Sequence, residues 1–415
     1  MTVKSAGRSL SAISMPQPRP AGRGVNSAWV RRVNAVLLMQ ALRRHPGSSQ
    51  RELAVLTGLD KATVSAVTSQ LVGAGLVART NGAATVRRLG RPAVALAIPR
   101  SAGIVFGVRL EPDRIAVVAA DLGGKIIDRE SRPGSEDPRT AIQSLAMAIA
   151  KLGQRLGSFP QRAIGIGVPG LIDRSGQLIF APNLGWRDVP LAELAAKSLS
   201  APIVIENDTN AAAIAEREFG SCAGVDDFIY VSGHSGVGGA IFAAGRLYRG
   251  AEGLAGEFGH IRVVPGGRAC GCGGRGCLEA YAAVPGLLAS LAERGSPAAT
   301  IAEVAMRAEA GDAAVVALLG ETGDLIGRAL AGSVNALNPS HLVLGGNLAV
   351  VAPWMLTALR NALARAAMEQ LAARLNIELS PLGADAVLMG GVALALQKVD
   401  ADLIQADGLA GVRAG

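Results

Sequence analysis

A chain of 415 residues, half of them apolar and only 3% aromatic, carries core-forming material for two or three globular domains. No run reaches the roughly 18 uninterrupted apolar residues of a membrane span, and the first 26 residues lack the apolar block of a secretory signal, so the expected address is cytoplasmic. The net charge of +8 is uneven, with 15 Lys and Arg against Glu52 and Asp60 alone in residues 1–100, and 26 basic against 31 acidic side chains in residues 101–415. A basic head on a mildly acidic body predicts that the head meets a polyanion, although a solubilising basic tail would carry the same charge.

Residues 1–26, rich in Ser, Pro, Gly and Arg, are too poor in large apolar groups to pack and read as a disordered basic arm. From Trp29 the spacing of Val30, Val33, Val36, Leu37, Leu38 and Leu42 predicts a helix that stops at His45-Pro46-Gly47. Ser49 with Glu52 forms a capping box for a second helix, Thr57-Gly58-Leu59 makes a tight turn, and Asp60 caps a third helix from Lys61 to about Val72. Val64, Val67 and Leu71 share its inner face, leaving small and polar residues outside.

A Leu76-Val77-Ala78 strand, a loop at Asn81-Gly82 and a returning strand ending near Ile98 complete a winged helix-turn-helix over residues 27–98. Its third helix would enter the major groove of double-stranded operator DNA with Lys61, Thr63, Ser65 and Ser69. Arg87, Arg88 and Arg91 of the wing would reach phosphates or a minor groove. A small helical bundle for protein contacts is the competing reading, and the local charge opposes it.

Beyond Pro99 the texture is α/β. Ile104–Val108, Arg114–Asp121 and Lys125–Glu130 read as three successive strands, and a similar unit recurs at Phe228–Ser232, Gly238–Phe242 and Arg246-Leu247. Two related lobes, about 101–220 and 221–398, with a cleft between them are expected, followed by a tail at 399–415.

The segment Glu206-Asn207-Asp208-Thr209-Asn210 follows a buried strand, Pro202–Ile205, and opens a helix, where ligand-binding groups often sit in α/β folds. Asp208 suits proton removal from a hydroxyl and Asn207 suits hydroxyl recognition; Asp208 or Thr209 would equally suit a helix cap. Glu257-Phe258-Gly259-His260 precedes Cys270, Cys272 and Cys277 in a loop with six glycines between 266 and 276. One imidazole and three thiolates fit a closed structural zinc site, with reactive or incidental thiols as the alternative; Cys222 stands apart. A metal-bound imidazole presents a proton on its other nitrogen, so His260 would donate to a ligand between Glu257 and Glu279, a set of acceptors suited to a polyol.

These residues resemble the ROK family of repressors, open reading frames and kinases. The resemblance lies in Gly165-Ile166-Gly167-Val168-Pro169-Gly170, Ala181-Pro182-Asn183-Leu184-Gly185-Trp186, Asn207-Asp208, Glu257–His260 and the cysteine loop. Leu59-Asp60-Lys61-Ala62-Thr63-Val64-Ser65 and Gly90-Arg91-Pro92 resemble the DNA-binding head of its repressor branch. The resemblance spans residues 27–398. It implies an actin-like, ribonuclease-H-like two-lobed sugar-kinase fold over 101–398, a sugar held by Asn183, Asn207, Asp208, Glu257, His260 and Glu279, and zinc at His260, Cys270, Cys272 and Cys277.

Kinases of this family open the first lobe with Asp-x-Gly-Gly-Thr-Lys. Here the stretch is Arg109-Leu110-Glu111-Pro112-Asp113-Arg114, which places a cation where the acid belongs and removes both glycines. Proline lacks the amide donor a phosphate-cradling turn needs. Asp121-Leu122-Gly123-Gly124-Lys125 follows the second strand instead and reads as an ordinary turn, while Gly233–Gly239 and Gly345-Gly346 keep the family's glycines. The expectation is a non-catalytic, sugar-responsive regulator acting as a homodimer or homotetramer, with Asp208 a vestigial base. An ATP-dependent, glucokinase-like sugar kinase that also binds DNA is the alternative, and a constitutive DNA-binding protein is a third reading.

Overall fold

The structure, a computed structural model, describes residues 27–80 and 94–405. The expected arm at 1–26 and the wing residues Arg87, Arg88 and Arg91 lie outside the described residues.

The head forms from local signals. Helix α1 (Ser27–Arg44) ends before Pro46; α2 (Gln50–Thr57) starts with the Ser49–Glu52 capping box, and Gly58 supplies the left-handed turn at φ 70°. Asp60 accepts from the amides of Ala62 and Thr63 at 2.9 Å and so starts α3 (Lys61–Gly73). The wing strands β1 (Ala78–Thr80) and β2 (Ala95–Ala97) pair antiparallel. Leu76 and Val77, expected in the first of them, are buried ahead of it in the head's core.

Each lobe is built on a five-stranded sheet of one topology. In the first, β3 (Ile104–Leu110), β4 (Arg114–Asp121) and β5 (Ile126–Pro133) form an antiparallel meander. After α4 (Pro138–Leu156), β6 (Gln161–Val168) lies parallel to β3. A small sheet of β7 (Leu171–Ile172), β8 (Leu178–Ala181) and β9 (Trp186–Val189) and helix α5 (Leu191–Ser198) follow, and β10 (Ile203–Asn207) then pairs parallel to β6.

Helix α6 (Asp208–Phe219) leads to the second lobe, where β11 (Phe228–Gly233), β12 (Val237–Ala243) and β13 (Arg246–Leu247) repeat the meander. Helices α7 (Glu279–Ala282), α8 (Val284–Glu293), α9 (Ile301–Glu309) and α10 (Ala313–Leu337) precede β14 (His341–Gly345), which lies parallel to β11. Helices α11 (Gly346–Val351), α12 (Leu356–Ala366) and α13 (Glu369–Ala372) lead to β15 (Asn376–Leu379), parallel to β14. The strand orders β10-β6-β3-β4-β5 and β15-β14-β11-β12-β13 correspond one to one, so the recurrence visible in the hairpins extends to both whole sheets.

Two expected boundaries are corrected. The last helix, α14 (Ala386–Gln405), runs through the position where a tail was expected from 399, and Val399 and Leu403 are buried. It also leaves the second lobe, because its Leu388, Val392 and Leu396 pack with Val105 and Val118 of the first. Glycine permits that approach: a Cβ on Gly165 would strike the Gly391 carbonyl, and one on Gly107 the Leu388 carbonyl.

The same cluster continues without a break into Val36, Met39 and Leu42 of α1. Burying a large apolar side chain is worth about 1.5–3 kcal/mol. Several on each side of the seam make the docked head, rather than a tethered one, the low-energy arrangement. Within this cluster Arg43 reaches Asp400 of α14 with both guanidinium nitrogens, at 2.6 and 2.7 Å, and donates Nε to the Leu122 carbonyl at 2.9 Å. Asp121-Leu122-Gly123-Gly124-Lys125 is indeed a hairpin turn, closed by bonds to Asp121 Oδ1 from the amides of Gly123 and Lys125 at 2.9 and 3.0 Å.

Candidate functional site

Strand β10 stays paired to β6 as far as Asn207 opposite Val168, which holds Asn207 extended and makes it the residue that caps α6. Asn207 Oδ1 accepts from the amides of Thr209 and Asn210 at 2.9 and 3.0 Å, and Nδ2 donates to the Gly170 carbonyl at 3.0 Å. The cap is therefore Asn207, not Asp208 or Thr209, and most of its carboxamide is spent on the backbone. Just behind it, buried Glu206 is held by Arg249 at 2.7 Å and by Asn210 at 3.0 Å, which makes it a buttress rather than a ligand.

Asp208 Oδ1 accepts from the Thr209 amide at 2.7 Å, and among the described residues its other oxygen is uncommitted. Burial pushes its carboxyl above the ordinary range, and the Thr209 amide and the Arg109 cation oppose that push. Asn183, on a turn of the first lobe, donates to Ser235 Oγ in the β11–β12 turn at 3.0 Å and bridges the two lobes.

On the facing wall, His260, Cys270, Cys272 and Cys277 bring their ligand atoms within 4.8 Å of one another. The Nδ1 of His260 lies 3.6 Å from Cys270 Sγ, and Cys272 and Cys277 are 3.8 Å apart. A tetrahedral ion with bonds of about 2.0–2.3 Å demands ligand edges near 3.3–3.8 Å, so this donor set fits a metal of that geometry. The loop folds so tightly because Gly273 and Gly276 take φ of 86° and 76°. A Cβ on Gly276 would strike the Val264 carbonyl.

The remaining ring nitrogen of His260, Nε2, faces Glu257 Oε2 at 3.7 Å. Burial raises the Glu257 carboxyl, opposed by His260. Glu279 joins loop to hairpin, with Oε1 3.4 Å from Cys270 Sγ and Oε2 accepting from the Val237 amide at 3.0 Å. Cysteine loop, hairpin and carboxylate are thus one unit. His234 and Ser235 come from the Gly233–Gly239 hairpin noted in the sequence for its glycines alone, and Arg249 joins without having been expected; tertiary pairing brings all three in.

At the first-lobe hairpin, Arg109 pairs with Glu111 and lies 3.5 Å from the Ala384 carbonyl. Glu111 therefore does not stand bare: its neighbour's cation neutralises it. Across from it, His234 stands 3.2 Å from Asn347, and burial together with Arg109 lowers its pKa to about 4. The recess between Asp208, Ser232, His234, Gly346 and Val387 is about 10 Å³, room for one water.

In the head, Lys61, Ser65 and Ser69 are exposed on α3. Thr63 Oγ1 donates to Asp60 at 2.6 Å and Ser69 Oγ to the Ser65 carbonyl at 2.9 Å, so both hydroxyl protons are committed within the helix. Arg51 and Arg79, not singled out in the sequence, line the same surface recess as Lys61.

A duplicated two-lobed sugar-kinase fold, with a winged-helix head docked on its first lobe, defines the class. The chain belongs to the ROK family, whose model matches residues 105–398, and a MarR family model matches residues 32–88. The xylose repressor of Bacillus subtilis (strain 168) is 30% identical over 368 residues, 88% of this chain and 95% of the relative. A ROK family transcriptional regulator, a homologue of the E. coli MLC protein, shares the fold with a TM-score of 0.77 at 24% identity, covering 91% of this chain and 98% of that one. A ROK family glucokinase from Streptomyces griseus, solved with glucose and AMPPNP, aligns with a TM-score of 0.63 at 29% identity over 71% of this chain and all of its own. No helix among the described residues is long and apolar enough to cross a membrane.

Proposed function

We propose that this chain is a sugar-responsive transcriptional repressor that binds operator DNA through its head and a sugar in the interlobe cleft. The observation that carries the reading is the continuous core joining α1 to the first lobe through α14. Any sugar-driven shift of the lobes is thereby delivered to the DNA-binding helices. In a dimer or tetramer such a shift changes the spacing of paired heads, which operators read in steps of one helical turn.

In this reading Asn183, Asp208, Glu257, His260 and Glu279 bind sugar hydroxyls, and Asn207 contributes mainly by setting the start of α6. Zinc at His260, Cys270, Cys272 and Cys277 is structural, fixing the imidazole and, through Glu279, the hairpin. Lys61, Ser65 and the arginines at 51, 79, 87, 88 and 91 supply the DNA contacts; Thr63 and Ser69 keep only acceptor capacity. The proposed kinase deficiency rests on Arg109, Glu111 and Pro112, since phosphoryl transfer depends on positioning and charge neutralisation.

The second reading, a sugar kinase that also binds DNA, draws support from Asp208 at the strand end and from the kinase relative. Steady-state assays with ATP, magnesium and a sugar panel headed by xylose separate the two. No turnover together with a sugar-dependent gel shift is the expected result, and clear turnover would sink the non-catalytic reading. A gel shift indifferent to every sugar would support the constitutive binder.

A further inference from the structure

The head and body do not meet flush. Between them lies a cavity of about 460 Å³, walled by α1, the end of α6, the β12–β13 hairpin and the last turns of α14. Five arginines reach its wall, Arg43 and Arg44 from the head and Arg217, Arg246 and Arg249 from the body, against only Glu218 and Asp400.

Two of these cations are committed elsewhere, Arg43 to Asp400 and Arg249 to Glu206. The other three are not fully matched. Arg44 meets Glu218 only at 3.5 Å, and its buried Nε has no hydrogen-bond partner. Arg217, with a side chain 3% exposed, gives Nη2 to Asp226 at 2.8 Å but also leaves a buried Nε without a partner. Arg246 has no carboxylate within ion-pair distance among the described residues. The two Nε atoms are closed to solvent, so the groups open to a ligand are the other guanidinium nitrogens of Arg44, whose side chain is 20% exposed, and the exposed guanidinium of Arg246.

We infer that this cavity is a second ligand site, separate from the sugar cleft, for a small organic anion of the phosphate-monoester class. Arginines of α1, α6 and β13 line the cavity from three elements, and a guanidinium fork suits the oxygens of a phosphate ester. Phe242, over which Arg217 stacks at 5.9 Å, and neighbouring Ile214 and Phe219 give the rest of such a ligand an apolar wall. The volume falls within the usual range for small-molecule sites. Because Arg44 belongs to the head and Arg217 and Arg246 to the body, one bound phosphate bridges them and stiffens the joint. This site does not depend on the occupant of the sugar cleft.

The test uses the full-length chain, titrated calorimetrically with inorganic phosphate and with glucose 6-phosphate, while amide exchange is followed in α1 and α14. Saturable binding of one sugar phosphate per chain, with slowed exchange in both helices, is expected. Arg44→Gln combined with Arg246→Gln should weaken it about tenfold or more, and Asp208→Asn, which alters the cleft, should leave it intact. The inference is overturned by an absence of saturable binding or by affinity unchanged in the arginine double variant. It is equally overturned by loss in Asp208→Asn, which places the ligand in the cleft, or by the same protection from sodium chloride at equal ionic strength.

Discussion

Arg43 and Asp400, 357 residues apart in sequence, form a two-pronged ion pair whose side chains are only 10% and 6% exposed. The pair ties the last turn of the head's first helix to the last helix of the body, and Gln40 adds a bond to the same carboxylate at 3.1 Å. A charge pair in this position is less a source of net stability than a means of selecting one docking geometry, because desolvation offsets most of its attraction.

Breaking one side of this pair should therefore be costly. Asp400→Ala leaves Arg43 with the Leu122 carbonyl and the more distant Glu218 charge, and a loss of about 3–5 kcal/mol is expected in denaturant unfolding followed by circular dichroism. The double change Arg43→Met with Asp400→Leu should recover most of it while loosening the head's orientation. If the double variant is as unstable as the single one, the cost lies in packing and not in an orphaned charge.

The cysteine loop makes its own prediction. Protein purified without chelator should carry one zinc per chain, and Cys272→Ser should lose it, lower the melting temperature and weaken the sugar response. Elemental analysis decides the matter; unchanged metal content in the variant removes Cys272 from the ligand set.

For Asp208, stability and function should move in opposite directions. Burial holds its carboxyl pKa above the unfolded value, so ionising it costs more in the native state than in the unfolded chain. Asp208→Asn keeps an acceptor for the Thr209 amide, so the melting temperature should hold or rise, while sugar affinity should fall about tenfold to a hundredfold. A variant that loses stability along with affinity would show that the carboxylate's role is structural.

His234 supplies a pH signature. Its folded pKa of about 4 lies below the ordinary histidine value, so between roughly pH 6.5 and 4 the unfolded chain binds a proton that the native state refuses. Stability from this group is complete above the unfolded pKa and is lost as pH falls through that window. Denaturant midpoints measured at pH 7, 5.5 and 4.5 should decline, and His234→Asn should flatten the decline. Parallel profiles for the two proteins would show that other groups carry the acid sensitivity.

Much of this molecule was legible residue by residue, and the reason is the range of the interactions. The Ser49–Glu52 box, the Asp60 cap and the Gly58 turn act over two to four residues, so the head can be read directly from its letters. The cysteine spacing and its glycines likewise announce a tight cluster of potential metal ligands, since a short glycine-rich segment constrains its own geometry. The Arg109-Leu110-Glu111-Pro112 run departs from the kinase pattern in the letters themselves, although the pairing of Arg109 with Glu111 becomes visible only in three dimensions.

Within the Glu206–Thr209 segment, Asp208 and Thr209 suit an N-cap by residue type, yet the cap is Asn207. The choice belongs to β6, which keeps β10 extended through Asn207 and so sets where the helix begins. The course of α14 beyond residue 398 and its return to the first lobe follow from the meeting of Gly165 with Gly391, a contact no periodicity encodes. The sequence by itself determined most of the helices and strands, the caps of the head and the clustering of the cysteines, because those preferences are local. Only the tertiary structure decided that Arg43 finds Asp400 and that arginines from head and body face one cavity, because long-range packing brings distant side chains together.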